Sequence, residues 1–319
     1  MIEPRDQPCL EGYQDVEVPS PMTFARGKVR DVFYFDDEIV ISTSDRISAF
    51  DRILGVVPFK GEILNRLSVF WFERTRDIIP NHLIATISPR TILGRKCTVI
   101  PVEVVVRGYL TGSAWRDYRA GRSISGIDLP KGMRFNEKLA SPMITPSTKE
   151  SDGLHDRPCS RGEVLAAEVV EEAIWNTIEQ KAIELYERGR EIAAKQGLIL
   201  VDTKYEFGLA DGELMLIDEA HTPDSSRYWY ADTYAELFEA GEKQRKLDKE
   251  YLRQWLMEQG YQGDGRPPKI PRDVFYEVSR RYQQAFETIT GEQFTPQTGP
   301  IEAEKQKVLS FLTERQDDG

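Results

Sequence analysis

The chain has 319 residues, with 53 acidic side chains against 42 Lys and Arg, so its formal net charge is −11. Forty per cent of the residues are apolar and 30% are charged, a composition that excludes a disordered or fibrous protein. The acidic balance disfavours a nucleic-acid partner, because negative surfaces repel phosphate backbones, and the length favours two domains over one core.

The cysteines and the apolar runs indicate the compartment. Cys9, Cys97 and Cys159 are widely spaced and form no CxxC pair, which suits a reducing environment. The first residues, MIEPRDQPCLEGYQ, lack the features of a secretory signal. Apolar runs fall far short of the ~20 residues that a membrane-spanning helix needs. We therefore predict a cytoplasmic protein with no membrane partner.

The first third of the chain predicts an irregular arm and then a β-rich region. Residues 1–21 are polar and rich in proline. GKVRDVFYF and IVISTSD, separated by the turn Asp36-Asp37-Glu38, predict a β-hairpin. Residues 61–79 have helical periodicity, and 82–88 and 97–107 predict further strands.

The rest of the chain is mixed. GYLTGSAWRDYRAG predicts a glycine-interrupted helix or turn, and 121–160 is predicted to be mostly loop. Ser160 and Glu163 indicate a capping box before one long helix that ends at Gly197. Strands at 198–207 and 213–219 follow, and the last eighty residues are helical in pattern. We predict an α+β fold with a β-rich domain, 1–101, and a mixed domain, 102–319.

The segment LILVDTKYEFG, 198–208, carries the strongest chemical signal. Strand alternation places Asp202, Lys204 and Glu206 on one face, a row that is costly to bury without partners. The next strand ends in Asp218. Carboxylate oxygens at this density favour Mg²⁺, and the alternative is an exposed edge hairpin with ordinary surface charges.

The turn between these strands decides how the carboxylates meet. A two-residue turn would place Ile217 opposite Glu206, whereas a three-residue loop, 211–213, would place Asp218 there. In the second case the two carboxylates could share a cation. The sequence leaves both registers open.

Other polar segments suit small anions. In PVEVVVRGYLTGS an apolar strand ends in Arg107, and the Gly/Ser turn that contains Ser113 follows, so a guanidinium and backbone amides can converge on a phosphate or carboxylate. Lys28 begins a strand, as lysines that contact ATP phosphates often do, although no P-loop motif is present. The alternatives are a structural turn and a surface lysine.

Two further loops, TSDRISAFD and TPSTKESDGLHDRP, are dense in charged and hydrogen-bonding groups. The first contains Ser44 and Asp45, and the second contains Lys149 and Asp152. Both loops suit a polyanionic small molecule, and both could equally be solvated. The three histidines have no metal-ligand spacing and no GxSxG motif occurs, so covalent Ser or Cys catalysis is not expected.

Together these segments resemble the SAICAR synthetase family, the phosphoribosylaminoimidazole-succinocarboxamide synthases. PVEVVVRGYLTGS and LVDTKYEFG resemble its two signature segments, and GKVRDVF, TSDRISAFD, KGEILNRLS and IDEAHTPDSSRYW occur in its order and spacing. The resemblance runs from about residue 20 to 290 and is closest to the longer, monofunctional form. The arm 1–20 and residues 116–145 match shorter members poorly, and no role is assigned there.

The resemblance implies a two-lobed fold related to ATP-grasp enzymes, with an N-terminal lobe like a kinase small lobe. It implies an ATP-dependent ligase that joins L-aspartate to carboxyaminoimidazole ribonucleotide (CAIR), releasing SAICAR, ADP and phosphate through an acyl phosphate, in de novo purine biosynthesis. Its cofactors would be ATP and Mg²⁺, its partners CAIR and L-aspartate, and its state a monomer or homodimer.

The resemblance also implies roles for individual residues. Glu206 and Asp218 would hold Mg²⁺, Lys28 and Lys204 would lie by the ATP phosphates, and Val102 and Glu103 would lie on the hinge by the adenine. Arg107, Ser113 and Arg227 would bind the 5′-phosphate of CAIR, and Ser44 and Asp45 would approach its imidazole. Lys149 and Asp152 would border the reacting carboxylate and, with Lys204, would be the catalytic residues.

Two other classes of protein remain open at this point. A small-molecule kinase could use a similar two-lobed ATP site, but it would normally need an HxDxxxxN-like loop, which is not found. A non-catalytic nucleotide-binding protein could dispense with metal carboxylates, whereas Glu206 and Asp218 are both present.

Overall fold

The computed structural model describes residues 1–5, 7–14, 16–18, 20–50, 52–148, 157–247, 250–297 and 299–317. The chain forms two compact units. Unit 1 comprises Met1–Phe70, His82–Lys96 and Asp248–Gly319, and unit 2 comprises Trp71–Asn81 and Cys97–Leu247. These units differ from the predicted division at residue 101, since residues 248–319 group with the N-terminal part of the chain.

The strands, in chain order, are β1 (Thr23–Arg26), β2 (Arg30–Phe35), β3 (Glu38–Thr43), β4 (Arg46–Ala49), β5 (Arg52–Val56), β6 (Leu83–Ser88), β7 (Thr91–Arg95), β8 (Thr98–Val99), β9 (Val102–Tyr109), β10 (Lys138–Thr148), β11 (Leu198–Ala210), β12 (Glu213–Ile217) and β13 (Ser226–Tyr230). The helices are α1 (Lys60–Thr75), α2 (Gly112–Arg119), α3 (Arg161–Ala166), α4 (Glu172–Lys195), α5 (Ala231–Glu239), α6 (Glu250–Glu258), α7 (Arg272–Thr290) and α8 (Ile301–Asp317). Within the described ranges, none of these helices is long and apolar enough to span a membrane.

Unit 1 is built on an antiparallel sheet with the strand order β1-β2-β3-β7-β6, and β4 and β5 form a separate hairpin. β2 and β3 confirm the predicted hairpin, and α1 confirms the predicted helix. Its core includes Phe33 of the sheet, Leu10 and Tyr13 of the N-terminal arm, and Val308 and Leu312 of α8. The irregular arm and the last helix are therefore held by the same apolar core.

Unit 2 is built on a second antiparallel sheet with the order β10-β9-β11-β12, and β13 and β8 also pair with β11. Helix α4 packs on β11, and Tyr186 of α4 donates a hydrogen bond to the Leu200 carbonyl at 2.8 Å. Gly108 of β9 lies so near Tyr186 that a Cβ would stand 2.0 Å from its oxygen. Apolar and aromatic side chains such as Tyr205 and Phe207 are buried in this unit.

The structure differs from two predictions for unit 2: it adds a strand to a region predicted to be mostly loop, and it divides the predicted long helix. β10 occupies part of the segment predicted as loop; it is an edge strand, where Pro142 and Pro146 are tolerated because an edge strand need not donate from every residue. The predicted long helix is two helices, because Glu168 adopts a left-handed φ of 53° between α3 and α4. The capping box of Ser160 and Glu163 is confirmed at the start of α3.

Candidate active site

The pairing register of unit 2 collects charged side chains on one face of the sheet. Asp202 of β11 is paired with Arg107 of β9 on one side and with Arg227 of β13 on the other. Alternation then brings Lys204 and Glu206 to the same face. A strand rise of about 3.3 Å per residue separates residues 202 and 206 by about 13 Å. The face therefore has two ends with different chemistry.

We name one end the acidic cluster, which consists of Glu103, Lys204, Glu206 and Asp218. The Lys204 ammonium lies 2.5 Å from Glu206 Oε1, 2.8 Å from Glu103 Oε1 and 3.9 Å from Asp218 Oδ2. Burial alone would lower the pKa of Lys204, but the three carboxylates outweigh it and raise this pKa above its ordinary value. Three carboxylates share one ammonium, so the cluster keeps an excess of negative charge.

The turn before β12 settles the register of this cluster. Asp211 and Gly212 both have positive φ and form a two-residue turn, so Ile217 is the residue opposite Glu206. A regular continuation of β12 would turn Asp218 toward the face of Tyr205. Instead Asp218 has a left-handed φ of 65°, which interrupts the alternation, and its carboxylate reaches Lys204.

The donors of the acidic cluster fit Mg²⁺. Among the described residues no group of three or more His, Cys, Asp or Glu has the arrangement of an all-protein metal site. Mg²⁺ seldom needs one, because it usually keeps waters and binds through one or two carboxylates together with substrate phosphates. Glu206 and Asp218 already bring carboxylate oxygens to one cation, the Lys204 ammonium.

We name the other end the arginine cluster, which consists of Arg107, Ser113, Thr145, Asp202 and Arg227. Arg107 donates through Nε to Thr145 at 2.9 Å and through Nη2 to Ser113 at 3.1 Å, and its Nη1 lies 3.4 Å from Asp202. Burial lowers the pKa of Arg107, which Asp202 partly offsets. An arginine stays charged in proteins, so the cluster presents two guanidiniums and a hydroxyl to an anion.

Behind Asp218 the chain is fixed by a buried histidine. His221 Nε2 lies 3.1 Å from the Tyr205 hydroxyl, the ring packs on Trp71, and the Tyr228 hydroxyl donates to the His221 carbonyl at 2.6 Å. Burial lowers the pKa of His221 to about 3. The imidazole is therefore neutral near pH 7 and supports the loop rather than carrying protons.

In unit 1, Lys28 lines an open cavity of about 550 Å³ together with Arg26, Arg52 and Pro267. The turn that carries Lys28 is held by Arg46, whose guanidinium donates to the Lys28 carbonyl at 3.2 Å and to the Gly27 carbonyl at 3.1 Å. Three cationic side chains at one cavity suit a polyphosphate.

Asp45 and Ser44, which were expected near the imidazole, both have protein partners in the structure. Asp45 is fully buried and accepts from Arg90 Nη1 at 2.6 Å, from the Gly61 amide at 2.9 Å and from the Leu10 amide at 2.8 Å. Ser44 is also buried and donates to the Val29 carbonyl at 2.7 Å. Both side chains hold the loop after β3 through these protein partners, and their contact with the imidazole stays a prediction.

The other predicted residues divide as follows. Val102 is buried in β9, and Glu103 is bound to Lys204 in the acidic cluster. Lys149 and Asp152 lie outside the described residues. Thr145 is a partner of Arg107 that sequence reasoning misses, because it falls in the segment predicted as loop.

Comparison with known proteins shows the family of this chain. The model of a family described as SAICAR synthetase matches residues 23–268. The chain belongs to the SAICAR synthetase family. A phosphoribosylaminoimidazole-succinocarboxamide synthase of Bacteroides thetaiotaomicron is 46% identical over 306 residues, which cover 94% of this chain and 98% of that protein.

Solved structures of the SAICAR synthetase family support the same conclusion. The SAICAR synthase of Saccharomyces cerevisiae, complexed with SAICAR, is 33% identical with a TM-score of 0.76 and covers 88% of this chain and 99% of its own. A SAICAR synthetase in complex with ADP is 25% identical with a TM-score of 0.66 and covers 86% of this chain and all of its own. The predicted α+β SAICAR synthase fold is confirmed, and the small-molecule kinase is not favoured.

Proposed function

We propose that the chain uses ATP to join L-aspartate to CAIR, giving SAICAR, ADP and phosphate in de novo purine biosynthesis. The observation that carries this proposal is the charged face of unit 2, with the arginine cluster and the acidic cluster about 13 Å apart along β11. A ribonucleotide that carries a 5′-phosphate at one end and a carboxylate on its base at the other matches such a face when Mg²⁺ neutralises the excess negative charge of the acidic cluster.

The reaction has two steps, activation of the carboxylate and formation of the amide. A carboxylate oxygen of CAIR attacks the γ-phosphorus of ATP, ADP leaves, and an acyl phosphate forms. The aspartate amine then attacks the acyl carbon, phosphate leaves with the bonding electron pair, and the nitrogen loses a proton. Because a carboxylate is a poor electrophile before this activation, the protein's task is to position the reactants and neutralise charge.

Each end of the charged face has its part in this proposal. Arg107, Arg227 and Ser113 bind the 5′-phosphate of CAIR through charge-assisted hydrogen bonds. Glu206 and Asp218 would hold Mg²⁺, which neutralises phosphate charge when bound. Lys204 supplies a cation beside them.

The remaining assignments concern ATP and the compartment. In unit 1, the cationic cavity at Lys28 contributes contacts to the ATP phosphates. Val102 and Glu103 are assigned to the adenine, with the Glu103 side chain also bound to Lys204.

None of the three cysteines is in a disulfide, which agrees with the cytoplasm as the place of action.

A coupled assay of ADP release tests the proposal. With ATP and Mg²⁺ present, we expect continuous ADP release only when CAIR and L-aspartate are both supplied, with one SAICAR formed per ADP. Steady turnover with CAIR alone would identify a kinase instead. No turnover under any combination would identify a binding protein.

Trapping with hydroxylamine tests the order of the two steps. Hydroxylamine converts an acyl phosphate to a hydroxamate, so we expect CAIR hydroxamate to form with ATP and CAIR in the absence of aspartate. Replacing ATP by ADP is the matched control and should give none. Normal SAICAR synthesis without any trapped hydroxamate would contradict an acyl phosphate that is accessible to solvent nucleophiles.

A further inference from the structure

Asp202 is the one carboxylate that both guanidiniums of the arginine cluster share. Its Oδ1 accepts from Arg227 Nε at 2.9 Å, and its Oδ2 lies 2.9 Å from Arg227 Nη2 and 3.4 Å from Arg107 Nη1. The contact to Arg227 is therefore a two-pronged fork, and the same carboxylate also reaches the second arginine. Asp202 itself is buried, so its carboxylate faces the two arginines rather than solvent.

The rest of the cluster leaves Arg107 little freedom. Its Nε is bound to Thr145 and its Nη2 to Ser113, so with Asp202 at Nη1 every nitrogen of this guanidinium has an assigned partner. Each of these contacts fixes the plane of the fork, and the orientation of a fork decides how it meets a phosphate.

Arg227 is confined from the other side by the start of α2. Gly112 has a φ of 59°, and a Cβ at that position would lie 2.2 Å from Arg227 Nη1. A side chain at this position would push the Arg227 guanidinium away, and the positive φ also favours glycine. Arg227 is thus held between Asp202 and the backbone of residue 112.

Two guanidiniums this close repel each other when no anion lies between them. A carboxylate shared by both removes that repulsion and keeps the two side chains in one arrangement before any ligand arrives. The same carboxylate also places a negative charge near an incoming phosphate, which by itself weakens binding. Asp202 therefore has two opposing effects on a phosphate at this site.

We propose that Asp202 is a positioning residue, which sets the spacing and orientation of Arg107 and Arg227 for the 5′-phosphate of the ribonucleotide, and that this effect outweighs its charge. The inference rests on the proposed function, which assigns the arginine cluster to that phosphate. Removal of the Asp202 charge should raise the KM for CAIR if positioning prevails and lower it if the charge effect prevails. An experiment can therefore separate the two effects.

The test is Asp202→Asn, which keeps the shape of the side chain and removes its charge. We expect the KM for CAIR to rise by about tenfold or more, equivalent to about 1.4 kcal/mol, with smaller changes in the KM for ATP and for aspartate. If the KM for CAIR falls or stays unchanged, the charge effect prevails and the positioning role is wrong.

A second readout distinguishes positioning from general damage to the fold. CAIR and its 5′-dephosphorylated nucleoside are compared as substrates of the native chain and of the variant. We expect Asp202→Asn to reduce the preference for the nucleotide, since only that substrate uses the arginine cluster. An equal loss for both substrates would overturn the inference.

The matched control is Asp31→Asn in unit 1. Asp31 is also buried and also paired with an arginine, Arg46, at 2.6 Å, so the chemical change is the same. We expect this control to lower the melting temperature without a selective rise in the KM for CAIR. If Asp202→Asn does not fold, Asp202→Glu retains the charge but moves the carboxylate by one methylene, and the same selective rise in the KM is expected.

Failure of the inference can be told from failure of the proposed function. Arg107→Ala and Arg227→Ala should each raise the KM for CAIR by about tenfold or more, because each removes charge-assisted hydrogen bonds to the phosphate. If neither does, the phosphate assignment is wrong. If both do while Asp202→Asn does not, only the role of Asp202 is wrong.

Discussion

Both units place arginines against aspartates, but they use these pairs differently. In unit 1, Arg46 with Asp31 and Arg90 with Asp45 have side chains that are at most 2% exposed. Backbone amides complete the hydrogen bonding of Asp45. Such pairs are fully occupied by the protein itself, so their role is to hold loops together.

In unit 2 the corresponding side chains are more open. Around Asp202, the Arg107 side chain is 11% exposed and the Arg227 side chain is 27% exposed. Guanidinium groups that are oriented by the protein and still reachable from solvent are suited to an anion from outside. Exposure, more than the presence of an ion pair, therefore separates the arginine cluster from the structural pairs of unit 1.

The largest effect is expected for the buried ion pairs of unit 1. Asp45→Asn leaves Arg90 charged and buried without its carboxylate, which should lower the free energy of unfolding by about 3–5 kcal/mol. Urea unfolding of the native chain and the variant measures this. Asp37→Asn, at an exposed turn residue of the same unit, is the control and should change stability by less than about 0.5 kcal/mol.

The outcome for Asp45 also bears on the substrate contact first expected there. At a temperature where the variant is folded, we expect its KM for CAIR to match that of the native chain. A stable Asp45→Asn variant with a selectively raised KM would show that Asp45 serves the substrate after all, and would remove the contrast between the units.

The next effect concerns the acidic cluster. Glu206→Gln removes one of the carboxylates proposed for Mg²⁺, and we expect kcat to fall by about 10²–10³-fold, the usual cost of losing one electrostatic contact to a transition state. Rates are measured across a Mg²⁺ titration. Glu213→Gln, at the exposed start of β12 in the same hairpin, is the matched control. Near-normal activity of Glu206→Gln at every Mg²⁺ concentration would contradict the metal assignment.

Acid should lower the stability of the folded chain through His221, which supports the loop behind the acidic cluster. The pKa of His221 is about 3 in the folded chain against 6.5 for the free side chain, so between these values the unfolded state binds more protons. The stabilising contribution is complete above pH 6.5 and is lost as the pH falls toward 3. From pH 6.5 to 5 the expected loss is about 2 kcal/mol, at about 1.4 kcal/mol per pH unit.

Urea unfolding at several pH values measures this loss, and His221→Gln provides the control, since it removes the titrating group. We expect the variant to lose less stability than the native chain between pH 6.5 and 5, although it is less stable at pH 7. Parallel curves for the two proteins would show that His221 does not carry the acid sensitivity.

The sequence predicts those parts of the fold that depend on neighbouring residues. The β2–β3 hairpin follows from β-branched and aromatic runs around a short acidic turn, and the Asp211-Gly212 turn has the composition of a two-residue hairpin loop. Parts that depend on distant contacts are not visible in the same way. α8 belongs to unit 1 because Val308 and Leu312 complete a core begun by the N-terminal arm.

The candidate site shows the same division. Alternation along β11 predicts that Lys204 and Glu206 share a face, and the structure places them in contact. The pairing of Arg107 and Arg227 around one carboxylate depends on the order of three strands, which no local pattern reveals. The structural role of Asp45 could not be predicted either, because a polar residue after an apolar strand gives no measure of its burial.

The smallest effect on stability is expected at the exposed ion pair of Glu163 and Arg157. Glu163 accepts from the Ser160 amide at 2.8 Å and pairs with Arg157 at 3.0 Å at the start of α3. These contacts, the amide first, lower the pKa of Glu163 from 4.5 to about 2. Its charge therefore stabilises the fold above pH 4.5, and this contribution is lost as the pH falls toward 2. Because the pair is exposed, solvent screens most of the effect.

Glu163→Gln tests this, since glutamine can still accept the amide hydrogen bond but carries no charge. We expect a melting temperature slightly below that of the native chain at pH 7, with the difference shrinking as the pH is lowered from 4.5 to 3.5. High salt at pH 7 should shrink it as well. A difference as large as that of Asp45→Asn would mean that exposure does not separate the ion pairs of this protein, and the contrast drawn between buried and open clusters would fail with it.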